Sequence, residues 1–99
     1  MSVILINCFE VPPGREDDFL TGWHAIADHL AKHPGYVATK LHRSVRPDAR
    51  FAFVNVGEWA TPQDFQSATT SDEFRRLADA LDDFPASPGL YTVEYEHVG

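Results

Sequence analysis

The chain has 99 residues, 43% of them hydrophobic and 23% charged, which describes one small folded domain spanning 1–99 rather than a disordered segment. Fifteen acidic residues stand against eight basic ones, and the resulting net charge of −7 argues against nucleic acid and anionic membrane as partners, since both demand a positive field. A chain of this size buries only roughly 60–65% of its unfolded surface, so it has little room to enclose a ligand alone, and a homodimer that completes the pocket is expected.

Residues 2–10 are rich in Val, Ile, Leu and Phe and run into Pro12-Pro13-Gly14, a strand followed by a break. The apolar run at residues 3–6 is too short for a signal core or a membrane span. The single cysteine, Cys8, excludes an internal disulfide. The expectation is a cytoplasmic protein in which Cys8 is a small buried hydrophobe. Phe19, Trp23, Ile26 and Leu30 then recur at helical spacing, with Glu16, Asp17 and Asp18 in the positive first turn, and His33-Pro34-Gly35 stops the helix.

Residues 36–45 and 50–59 read as two strands joined by a short hairpin over residues 46–49. Lys40, Arg43, Arg46 and Arg50 belong to this hairpin as solvated charges. Thr61-Pro62-Gln63-Asp64 is a helix start, with a threonine cap and proline in the first turn, and directs Phe65 and Ala68 inward. Ser71-Asp72-Glu73 caps a second helical piece bearing Phe74, Leu77, Ala78 and Leu81. Pro85 and Pro88-Gly89 break it, and residues 90–98 alternate as a last strand. The order β-α-β-β-α-β predicts an α+β, ferredoxin-like split βαβ fold with a four-stranded antiparallel sheet and helices on one face.

Strand alternation places side chains on shared faces. Phe51, Phe53, Asn55, Gly57 and Trp59 share one face of the third strand, and Ala52, Val54, Val56 and Glu58 the other. The small branched set is expected under the helices and the aromatic set in a dimer interior or a pocket. Val3, Leu5, Asn7 and Phe9 share a face of the first strand. Asn7 and Asn55 are amides amid hydrophobes, and burying an unpaired amide costs about 1–3 kcal/mol. They point either to a polar task in an apolar cavity or to local satisfaction of backbone groups. Trp59 leaves the same face as Asn55, roughly 13 Å along the strand. Core packing and contact with a flat ligand are both open to it.

His29 and His33 have metal-ligand spacing, but no further ligand completes a set, so no metal is expected. His24 and His97 read as surface or edge residues. His42, mid-strand, is a candidate base or an exposed strand histidine. No phosphate loop, nucleophile elbow or Cys/His pair at a usable spacing is present.

The runs Asn7…Phe9-Glu10-Val11, Pro34-Gly35-Tyr36, Val54-Asn55-Val56-Gly57-Glu58-Trp59, Ser71-Asp72-Glu73-Phe74-Arg75 and Pro88-Gly89-Leu90-Tyr91 together resemble the antibiotic biosynthesis monooxygenase family. The resemblance implies a dimeric α+β barrel and oxidation of a phenolic or anthrone-type aromatic (a polyketide or quinol) with O₂ to a quinone, with no metal, flavin or haem. It implies that Asn55 and Trp59 line the pocket and that a helix arginine assists. Arg75 lies about 100° round from Phe74 and Arg76 about 200°, so that role falls to Arg75. Asn7, Phe9, Phe51 and Phe53 become substrate-binding residues, and His42 or Arg75 the group that accepts or stabilises charge. Haem-degrading relatives share the asparagine and tryptophan matched by Asn7 and Trp59. Their ligand histidine falls at Ala78 here, which removes the main anchor for a haem, so haem degradation is the alternative reading, with another histidine as the iron ligand. A non-catalytic dimeric binding protein is the third reading of the same scaffold.

Overall fold

In the computed structural model, which describes residues 1–99, four strands form one antiparallel sheet in the order β2-β3-β1-β4. The strands are β1 (Val3–Phe9), β2 (Tyr36–Arg43), β3 (Phe53–Trp59) and β4 (Ala86–Tyr91). The helices are α1 (Glu16–Leu30), α2 (Pro62–Thr69) and α3 (Asp72–Ala78), the last extended by a 3₁₀ turn, Asp79–Leu81. This is the expected ferredoxin-like fold, and the Cα framework is only 17 Å through its thinnest dimension, one sheet and one helical layer. No helix is long and apolar enough to cross a membrane.

Local signals account for the helices. Phe19, Trp23 and Ile26 are buried along one stripe of α1, and its acids stand in the first turn. Thr61 accepts a hydrogen bond from the Asp64 backbone N–H at 3.0 Å, and Ser71 from that of Phe74 at 3.1 Å, each satisfying an amide that has no helical partner. Beyond α1 the chain turns at Gly35, whose φ of +87° suits only glycine. A Cβ there would also lie 2.3 Å from the Asp64 carboxyl carbon.

The core lies between sheet and helices in two separate clusters. At one end Phe19 of α1 stacks on Phe53 at 4.8 Å and meets Phe9 at 4.9 Å and Phe84 at 5.5 Å. At the other, Trp59 packs with Val3 and Ala68 and takes Tyr36 and Phe65 edge-on. Both clusters use the sheet face that carries Phe53, Asn55, Gly57 and Trp59.

That placement reverses the expected assignment of the two sheet faces. The aromatic set lies under the helices, where Phe19 and Trp23 need large partners to fill the layer. Val54, Val56 and Glu58 share the uncovered face with Ile4, Ile6 and Cys8, all half-buried at most. Cys8 is therefore not a core residue.

Two boundaries also differ from expectation. β2 ends earlier, at Arg43, and β3 starts later, at Phe53, leaving residues 44–52 as a longer connection. β4 spans Ala86–Tyr91 and runs straight through Pro88-Gly89 instead of starting after them. β4 is an edge strand, where a proline on the unpaired side breaks no ladder bond. Tyr91 pairs with Ile4, one residue from the start of β1, so residues 92–99 have no strand left to pair with and stay exposed without regular structure.

Phe19→Ala removes the ring that three others enclose and is expected to lower unfolding free energy by about 3–5 kcal/mol. Ser71→Ala removes one cap and is expected to cost about 1 kcal/mol. Urea denaturation of both variants measures the difference.

Candidate active site

Between the two aromatic clusters this face of the sheet carries no aromatic ring. Leu5 pairs with Gly57 and Asn7 with Asn55, so these four form a floor midway along β1 and β3. Trp23, Ile26, Ala27 and Leu30 of α1 roof it, Phe74, Ala78 and Leu81 close one side, and Trp59 and Phe9 stand at the ends. The cavity, open to solvent along part of its margin, is about 400 Å³ and two-thirds of its lining residues, 14 of 21, are hydrophobic. It has the size and apolar character to hold a flat ring system.

Its polarity is concentrated on the floor. The Thr39 hydroxyl of β2 donates to Asn55 Oδ1 at 2.5 Å. With its carbonyl occupied, Asn55 retains the two N–H donors of Nδ2. Directly across the strand pair, Asn7 Oδ1 is buried with no hydrogen-bond partner, the one such side-chain atom in the protein. An unsatisfied buried acceptor costs about 1–3 kcal/mol, and a ligand hydroxyl would relieve that cost. Tyr36 and Asp82 are the only titratable side chains in the lining, which contains no histidine, cysteine, lysine or arginine.

The structure thus brings Asn7, Phe9, Asn55 and Trp59 to one cavity. Phe53 is buried beside it in the core, under Phe19. Phe51 lies outside, its ring covered by the Arg50 guanidinium at 4.9 Å. His42 is not at the cavity: it pairs with Val54, shares the open face of the sheet, and holds its Nδ1 3.2 Å from the Val54 carbonyl. Arg75 is also outside, 68% exposed with Asp72 at 3.9 Å. α3 turns Phe74 and Ala78 inward, and a residue one step round the helix from Phe74 leaves toward solvent. Arg76 points outward as expected and bonds Glu73 at 2.5 Å, which holds that carboxyl below its ordinary value.

His29 and His33 approach with their Nε2 atoms 3.3 Å apart, but no group of three potential metal ligands forms. Sequence reading passed over Thr39 and Tyr36. Alternation along β2 carries a signal for Thr39, placing it with Leu41 opposite His42, but its alignment beside Asn55 needs the β2–β3 register.

A family model described as antibiotic biosynthesis monooxygenase matches residues 2–80. Among solved structures, the chain is similar to a protein proposed to be a monooxygenase from Shewanella loihica PV-4, with 32% identity, 96% of each chain covered and a TM-score of 0.82. It is also similar to SnoaB, a cofactor-independent oxygenase from Streptomyces nogalater, with 27% identity, 96% of this chain and 95% of that chain covered, and a TM-score of 0.84. An antibiotic biosynthesis monooxygenase family structure from Bordetella bronchiseptica, 22% identical over 95% of this chain and 98% of its own with a TM-score of 0.78, shares the fold. No curated protein matches the chain in sequence.

The unpartnered Asn7 carbonyl has a thermodynamic consequence. Asn7→Leu replaces it with an apolar group of similar size and is expected to leave the ligand-free protein as stable or about 1 kcal/mol more stable in urea. Destabilisation of more than about 1 kcal/mol would show that the amide is structural.

Proposed function

The chain belongs to the antibiotic biosynthesis monooxygenase family, and from that premise we propose that it oxidises a phenolic or anthrone-type aromatic with O₂ to a quinone, using the electrons of the substrate and no cofactor. The observation that carries this reading is the pair of amides facing each other on the floor of an otherwise apolar cavity. Such a site binds an oxygenated aromatic and stabilises its anion. It carries no side-chain acid–base pair of the kind that hydrolytic chemistry needs.

The steps follow from these groups. The ring lies in the cavity with Trp59 as its end wall, and the Asn55 N–H donors face the oxygen that gains charge. A C–H proton leaves to water at the margin of the cavity, where Asp82 is the lining carboxylate. The carbanion delivers electrons to O₂ and a C–O bond forms. The peroxide takes up a proton, and loss of the remaining C–H proton with O–O cleavage releases water and leaves a C=O. The balance is R₂CH₂ + O₂ → R₂C=O + H₂O. Exclusion of water by the apolar walls strengthens each hydrogen bond to the anion. Asn55, Trp59, Asn7 and Phe9 act in this scheme; His42 and Arg75 do not.

A haem-based reaction fits these residues poorly. The cavity lining offers iron no histidine, cysteine or methionine, and Ala78 faces the cavity where haem-degrading relatives would need their ligand.

The working form in this proposal is a cytoplasmic homodimer closed through the open sheet face. Ile4, Ile6, Val54 and Val56 form an apolar surface there, and Val93, Tyr95 and Val98 of the C-terminal tail add exposed apolar side chains, 63%, 82% and 81% accessible. A patch of this kind calls for a protein partner, and a second copy supplies a matching one.

Oxygen uptake by metal-stripped protein with 1,8-dihydroxy-9-anthrone is the test. Uptake above the spontaneous rate is expected, with quinone as product and a loss of about 10²-fold or more in Asn55→Ala. Binding of the anthrone without uptake would instead make the protein a binding module. Val56→Asp is expected to convert the dimer to monomer in light scattering, and an unchanged mass would place the interface elsewhere.

A further inference from the structure

An amide is nearly symmetric in shape, so Asn55 could turn either its donors or its acceptor toward a ligand, and something must choose. We propose that Thr39 is the positioning residue that makes this choice, and that Gly57 gives it the room to do so. The inference rests on the oxygenase reading only for its consequence in turnover; the geometry stands without it.

Thr39 pairs directly with Gly57 across β2 and β3, and Asn55 is the diagonal neighbour on the same face. The side chain of Thr39 leans along β3 and its Oγ1 lies 2.5 Å from Asn55 Oδ1. The structure places Oδ1, and not Nδ2, at the threonine hydroxyl, so it is the carbonyl end that Thr39 holds. The β-branch of threonine keeps its hydroxyl in few rotamers, which makes the constraint stiff. Gly57 matters because a Cβ there would stand 3.3 Å from Thr39 Oγ1, closer than ordinary contact.

The second asparagine supports the same choice. Asn7 Oδ1 lies across from Asn55 and has no partner. An inverted Asn55 would put a second acceptor on the floor beside Asn7 Oδ1, whereas the Thr39-held orientation leaves the floor one unpaired acceptor and the Nδ2 donors. Held this way, the floor offers N–H donors to a ligand oxygen that accepts, which an aryl ketone carries and a bare hydrocarbon ring lacks.

The test uses binding, which does not depend on turnover. Affinities of 1-hydroxyanthraquinone and of anthracene are measured by tryptophan fluorescence for the wild type, Thr39→Val, Thr39→Ser and Gly57→Ala. Thr39→Val is expected to weaken 1-hydroxyanthraquinone about 3- to 10-fold, one hydrogen bond's worth, and to leave anthracene unchanged. Thr39→Ser keeps the hydroxyl and is expected to restore binding, and Gly57→Ala to repeat the selective loss although Thr39 is intact. The Asn55 side-chain NH₂ signals in a ¹⁵N–¹H spectrum, assigned by their disappearance in Asn55→Asp, are expected to shift in Thr39→Val. Unchanged binding and unchanged NH₂ signals in Thr39→Val, or an equal loss for both ligands, would overturn the proposal. The selective loss without any oxygen uptake would retain it and remove the oxygenase reading alone.

Discussion

The fold depends on how side-chain size is distributed along the helix-facing side of β1 and β3. Large rings stand at both ends, Phe9 and Phe53 at one and Trp59 at the other, while Leu5, Asn7, Asn55 and Gly57 occupy the middle. Helices resting on the two ends bridge the shorter side chains between them. Close packing of the layer would otherwise leave no void larger than a water molecule. The cavity is therefore held open by the same aromatic clusters that stabilise the domain.

That arrangement also explains why so few polar groups define the site. In an apolar enclosure each hydrogen bond is stronger than in water, and each unmade one costs more. Two amides, one satisfied by Thr39 and one left open, give the floor a donor end and an acceptor end without placing a charge in the interior. The charged residues lie elsewhere: Arg75, Arg76 and Glu73 face solvent on α3, and His42 and Lys40 lie on the far side of the sheet. A −7 chain whose cavity lining contains a single carboxylate keeps its electrostatics largely outside the site.

The other face of the sheet is the second consequence of a two-layer protein. Helices cover one side only, so Ile4, Ile6, Val54 and Val56 are left on a surface too apolar to suit water. The tail beyond Tyr91 lacks a partner strand for a related reason, because β1 begins at Val3. Both features are local shortfalls of pairing and burial in a chain of this length.

Periodicity and capping were enough to read the order of elements, the stripe of α1, the Thr61 and Ser71 caps and the grouping of Asn55 with Trp59, because each depends on neighbours within a few residues. Alternation also placed Asn7 and Phe9 together. It could not say which face of the sheet the helices would take, since both faces are apolar and the choice is made by Phe19 and Trp23 arriving from α1. Nor could it tell that Pro88-Gly89 would continue a strand, because a proline is tolerated only where the edge position leaves its missing N–H unneeded. The contact of Thr39 with Asn55, the facing of Asn7 and Asn55, and the exclusion of His42 and Arg75 from the cavity are long-range facts. They follow from register and from the docking of α3, which no window of the sequence contains.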